Sequence, residues 1–248
     1  MTISFSFLGT ILPSSSPLTI EATPTVESDV VDGNPATMTV AVQDGRFEVT
    51  IELATFDEPS WQALFGPATD FARMHVEAVG FVTATPYNAF IDTIVRPDGT
   101  QKALALGDPG LAAQVGFGIE DSERIAELAK SDFPLSLALS DLMMMLSKTH
   151  YSPIAAGRVA DSLARLIAPG ESPKTAWPKL HAALRADEAY IKFLTEHSKA
   201  SRHGDRQYLP GEITRELARR AWTLMGRYLR LRLDGPLDSA LYPMLHGA

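Results

Sequence analysis

The sequence predicts an α+β protein, with an antiparallel β-rich domain over residues 1–117 and a bundle of five helices over residues 118–248. Three observations carry this. Apolar and polar residues alternate in several runs before residue 106, the period of half-buried strands. Asp44-Gly45 stands between two such runs, and this pair favours the positive φ angles of a tight hairpin turn. From about Asp121 the apolar spacing lengthens to three and four residues, the period of helices.

In the first domain, Ile3, Phe5 and Phe7 alternate with Thr2, Ser4 and Ser6 and predict a first strand. The stretch Met1 to Leu12 lacks the basic start and small-residue cleavage site of a signal peptide, so a cytoplasmic protein is expected. Leu18 to Ala22 reads as a short second strand, and residues 23–36, rich in Pro, Asp, Gly and Asn, as a mobile acidic loop. Thr37 to Gln43 and Arg46 to Ala54 form the hairpin around Asp44-Gly45, and Ala89 to Val95 with Thr100 to Leu106 a second one around Pro97-Asp98-Gly99. Between them, Pro59 to Val82 has the spacing of one or two helices, with His75 on the apolar side as a core histidine. Asp57, Glu58, Asp70 and Glu77 have no metal-ligand spacing and read as surface acids. The glycines of GDPGLAAQVGFG, 107–118, do not form a dinucleotide fingerprint and read as a linker.

The second domain begins with a helix over Glu123 to Lys130, acidic in its first turn. A second starts at Pro134 and runs through Leu146, with Met143-Met144-Met145 read as core filling. A third starts at Ser152-Pro153 and stops at Pro169-Gly170, and a fourth opens at Pro178 and carries Leu180, Leu184, Ile191 and Leu194. The fifth follows Pro210-Gly211, with an apolar stripe of Ile213, Leu217, Ala221, Leu224, Tyr228 and Leu231. Arg158 lies three residues before Asp161 and is either half of a local ion pair or a buried anchor that holds a second segment or a substrate.

Composition narrows the chemistry. The 248 residues contain no Cys, which excludes disulfide scaffolds, thiolate metal sites and a thiol nucleophile, and nothing implies a cofactor or a bound metal. No apolar run approaches the roughly 20 residues of a membrane span, so no membrane partner is expected. The net charge of -8 divides unevenly: residues 1–132 carry -13 and residues 133–248 carry +5. From His197 to Arg232, nine basic residues face three acidic ones. This asymmetry places any polyanion partner, RNA above all, on the second half and leaves the β domain for a protein partner. A basic half that docks on the acidic half is the other reading.

Residues 195–208, TEHSKASRHGDRQY, are the candidate site. Histidine moves protons near neutral pH and arginine holds phosphate in a planar fork. Together they suit RNA cleavage without a metal: a base for the 2'-hydroxyl, an acid for the leaving oxygen and a cation for the phosphorane. His203 and His197 are the candidate catalytic residues, with Arg202, Arg206, Lys199 and Arg158 as candidate substrate-binding residues. His197 and His203 are six residues apart and converge only if the helix ends before or at Gly204. A helix C-terminus with basic residues near its dipole and a glycine stop accounts for the same segment without function.

A multi-helix bundle with a polar Arg/His segment at the start of its last long helix pair resembles the HEPN superfamily, over about residues 120–235. The resemblance implies a HEPN-like bundle that forms a homodimer and, in active members, cleaves RNA in bacterial defence, toxin-type or RNA-processing systems. The family motif is an arginine followed, after four to six residues, by a histidine. With His203 as that histidine, the arginine would stand at Ser198, His197 or Glu196, and none of these is arginine. The resemblance therefore implies a divergent ribonuclease or an inactive binding module. A regulatory or interaction subunit with no nucleic-acid role is the alternative.

Overall fold

The computed structural model describes residues 2–20, 25–31, 34–55, 61–104, 108–202 and 209–247. The chain divides into two units, Met1–Leu106 and Gly107–Ala248.

Among the described residues, the first unit is a six-stranded antiparallel sheet covered by one helix. Its strands are β1 (Ile3–Leu12), β2 (Thr25–Val31), β3 (Asn34–Gln43), β4 (Arg46–Leu53), β5 (Asn88–Val95) and β6 (Gln101–Ala103), in the order β2-β3-β4-β1-β5-β6. Alternation selects the face. Phe5, Phe7 and Ile11 of β1 join Met38, Val40 and Val42 of β3 and Phe47, Val49, Ile51 and Leu53 of β4 in one core. The β3–β4 turn has Asp44 at φ 49° and Gly45 at φ 75°, the positive angles expected of it. Helix α1 (Trp61–Thr83) crosses from β4 to β5 as a single helix and buries Leu64, Ala68, Phe71, Ala72 and Val76 against this face. His75 bonds through Nδ1 to the Phe71 carbonyl at 2.8 Å, which accounts for a histidine on that side.

One glycine is required by the sheet. The β1–β5 register slips between Leu8 and Gly9, a bulge that brings Ile94 as well as Ile91 into the core. At the slip a Cβ on Gly9 would stand 2.2 Å from the Phe90 carbonyl oxygen and 2.3 Å from the Phe47 ring.

Two expectations for this unit are corrected. Most of the stretch taken for an acidic loop is β2 and the start of β3, because Thr25, Val26, Val30 and Val31 favour extended backbone and acids suit an edge strand. The second strand reduces to a lone bridge between Ile20 and Val42, with residues 21–24 outside the described residues.

The second unit is helical, with seven α-helices among the described residues rather than five: α2 (Pro109–Val115), α3 (Ser122–Ser131), α4 (Phe133–Ser147), α5 (Ser152–Ile167), α6 (Pro173–Leu184), α7 (Glu188–Arg202) and α8 (Gly211–Asp234). The expected linker contains α2, capped by Asp108 through the Gly110 and Leu111 amides and packed on α8. The expected fourth helix is two, α6 and α7, broken where Arg185 takes φ 51° and Asp187 starts a new cap. Helix α5 lies at the centre, where Ala155, Ala156, Ala160 and Ala164 let α4, α6, α7 and α8 approach closely. Of the methionine run only Met145 is in the core. Met143 and Met144 are exposed, since three consecutive positions cannot share one helix face.

Among the described residues no helix is long and apolar enough to cross a membrane.

Candidate functional site

Helices α7 and α8 position the predicted site. The apolar stripe of α7, Tyr190, Ile191 and Leu194, faces the core and sets Lys199 outward, exposed, near the helix end. His197 is half-buried. Its Nδ1 bonds to the Phe193 carbonyl at 2.8 Å and its ring leans on the Phe193 ring, 4.4 Å between centroids. A carbonyl only accepts, so Nδ1 carries the proton and Nε2 is the acceptor of the neutral ring. The neighbouring positions are also engaged within the helix: Glu196 pairs with Lys192 at 3.5 Å, and the buried Ser198 hydroxyl donates to the Thr195 carbonyl at 2.8 Å.

Arg202 is the last residue of α7. Its side chain, together with His203 and Arg206, lies outside the described residues, so the convergence of His197 with His203 does too. Arg158 is placed elsewhere, on α5. Its Nε donates to Asp141 of α4 at 3.1 Å while the side chain is 55% exposed, so it is an inter-helix ion pair and not a buried anchor. Burial of the Asp141 carboxyl raises its pKa, with Arg158 opposing.

Most of the basic charge on α8 is committed internally. The Arg220 side chain is 5% exposed, pairs with Glu216 at 2.6 Å, donates to the Tyr190 carbonyl and lies 4.2 Å over the Phe193 ring. Arg219 also grips Glu216, and this hydrogen bond together with Arg220 holds the Glu216 carboxyl below its ordinary value. Arg227 donates to the carbonyls of Leu184, Arg185 and Pro243, meeting the open carbonyl end of α6. Arg230 lies 3.8 Å over the Phe117 ring, and Arg232 pairs with Asp132 at 3.1 Å. Arg215 and Lys199 differ: both are exposed, and neither has an ion-pair partner among the described residues.

A second site was not anticipated from the sequence. A cleft of about 950 Å³ opens between α6, the start of α7 and the C-terminal segment, walled by Trp177, Ile191 and Met244 and edged by His181, Glu188 and His246. Asp187 organises its rim. One carboxylate oxygen accepts from the Tyr190 and Gly247 amides and the other from His246 Nδ1 at 3.0 Å. The Tyr190 amide foremost, with the Gly247 amide, lowers the Asp187 carboxyl below its ordinary value. The signal was Ala186-Asp187-Glu188, a helix-start pattern hidden by reading α6 and α7 as one helix. Among the described residues no group of three His, Asp or Glu side chains is arranged to hold a metal ion.

No curated protein and no solved structure matches the chain. Two models of one family do: the domain of unknown function (DUF8168) N-terminal domain over residues 5–104, within the sheet unit, and the DUF8168 C-terminal domain over residues 122–233, within the helical unit. These matches follow one another in chain order and together span most of the sequence, and the chain belongs to the DUF8168 family.

Proposed function

We propose that the α7–α8 end of the helical unit binds RNA, as a divergent or inactive HEPN-like module of a cytoplasmic bacterial defence or toxin-type system. The observation that carries this reading is the pair Lys199 and Arg215, exposed and without ion-pair partners among the described residues, on either side of the segment that holds His203 and Arg206. Unpaired cations on a helix surface are the groups that can displace counterions from a phosphate backbone. Binding without efficient cleavage is supported by the motif positions Glu196, His197 and Ser198, none an arginine and all engaged within α7.

The test is the binding of single-stranded RNA against salt concentration. Affinity falls steeply with salt, and Lys199→Ala with Arg215→Ala flattens that slope. A salt-independent affinity, or no binding at low salt, refutes the reading. Cleavage that survives a chelator and disappears in His203→Ala identifies a divergent nuclease, and intact RNA at high protein concentration an inactive module. Light scattering reports whether the module is a homodimer.

A specific observation favours a second reading, a protein partner on the sheet unit. Met74 and Phe81, seven residues apart on α1, are 60% and 89% exposed, with Val82 beside them at 82%. A partner retained by the full chain but lost on Phe81→Asp, and unaffected by Lys199→Ala, supports an interaction subunit.

A further inference from the structure

The cleft between α6, α7 and the C-terminal segment lies wholly within the helical unit and is independent of the RNA reading. At about 950 Å³ it falls in the size range of small-molecule sites. Three features define the ligand it fits.

The first is its polar inventory. His181 Nδ1 bonds to the Ala186 carbonyl at 3.0 Å, and His246 Nδ1 to the Asp187 carboxylate at 3.0 Å. Both partners only accept, so both rings carry their proton on Nδ1 and offer Nε2 as an acceptor when neutral. The second is charge. Lys192 is paired with Glu196, and Asp187 already takes three hydrogen bonds. Glu188, exposed in the first turn of α7, has no ion-pair partner among the described residues and is the uncompensated charge at the rim. The third is the wall: Trp177, Ile191 and Met244 offer an indole, a branched alkyl group and a thioether, surfaces suited to an apolar body and, at the indole, to a cation.

We infer that this cleft binds a small protonated organic amine, with its apolar body against Trp177, Ile191 and Met244 and its ammonium donating to Glu188 and the imidazole Nε2 atoms. An anionic ligand would meet Glu188 and two imidazole acceptors, and a neutral ligand would leave the Glu188 charge uncompensated.

The test is calorimetric titration of the full chain at neutral pH with four probes of similar size: phenethylamine, its trimethylammonium analogue, 2-phenylethanol and 3-phenylpropionate. Phenethylamine binds saturably, the trimethylammonium analogue about tenfold more weakly, and the alcohol and carboxylate weaker still. Glu188→Gln and Trp177→Leu each weaken phenethylamine about tenfold, whereas Arg215→Ala leaves it unchanged. Equal binding of the carboxylate or the alcohol, no saturable amine binding, or an affinity untouched by Glu188→Gln in a variant that melts like the parent overturns the inference. The probe series on the parent protein decides the matter even if a variant is unstable. RNA affinity is measured separately, so failure here leaves the RNA reading standing, and the reverse.

Discussion

Two stretches of the basic half use the same residue types for opposite ends. From Arg219 to Arg232, guanidinium groups bond to carbonyls, carboxylates and aromatic rings inside the helical unit. At the facing ends of α7 and α8, Lys199 and Arg215 stand in solvent with no such partners among the described residues. The difference lies in burial. A guanidinium removed from water must satisfy its donors within the protein, and the planar fork can bridge several helix ends at once. A cation at an exposed helix end keeps its hydration and its charge for a partner. Net charge counts both kinds equally, so the +5 of residues 133–248 overstates what RNA would meet.

Substitutions can break this contrast, beginning with the buried arginines. Arg220→Ala removes the buried cation that Glu216 pairs with, together with its bond to the Tyr190 carbonyl and its stacking on Phe193, and destabilises by about 3 kcal/mol in urea denaturation. Arg227→Ala strips the carbonyls of Leu184, Arg185 and Pro243 of their shared donor, and costs about 2 kcal/mol by the same measurement.

Glu216→Gln sharpens the comparison through pH. The Glu216 carboxyl has a lower pKa folded than unfolded, so its contribution is present above the unfolded value of about 4.3 and fades as pH falls through the folded one. Thermal melts therefore separate the variant from the parent by about 1 kcal/mol at neutral pH, and the gap closes in acid. Smallest in stability is the pair Lys199→Ala and Arg215→Ala, each within about 0.5 kcal/mol of the parent in the same melts. Their effect belongs instead to RNA binding, where each lowers the slope of log affinity against log salt by about 0.7. A large stability loss in these two, or a negligible one in Arg220→Ala, would erase the distinction between the stretches.

Legibility in the sequence followed the range of the interaction. The Asp44-Gly45 hairpin was readable because the turn is specified by two adjacent residues, and α8 because its stripe repeats over about five turns. Strand β2 was missed because its pairing with β3 overrides a stretch rich in Pro, Asp and Gly. The α6–α7 break was missed because Arg185 occupies a left-handed conformation that its type does not advertise, held near the C-terminal segment through its bond to the Tyr242 carbonyl. Of the candidate site, residues 195–208 read as a segment between two long helices, whereas His197 and Lys199 lie within the last turns of α7. That Arg158 reaches α4 rather than anchoring a distant segment depends on Asp141, seventeen residues away in sequence. The cleft's local signal, the helix start at Ala186-Asp187-Glu188, marks its rim but not its walls, which come from α6, α7 and residues near the chain end.

Periodicity and turn chemistry were enough to establish an α+β chain with a sheet half and a helical half, because both act between residues a few positions apart. Which cations are free, which carboxylates are unpaired and where a cavity opens depend on partners tens of residues distant. Arg220 and Arg215 differ by five positions on one helix, yet one faces Tyr190 and Glu216 while the other faces water. Helix packing makes that division, since it alone decides which side of α8 loses its solvent.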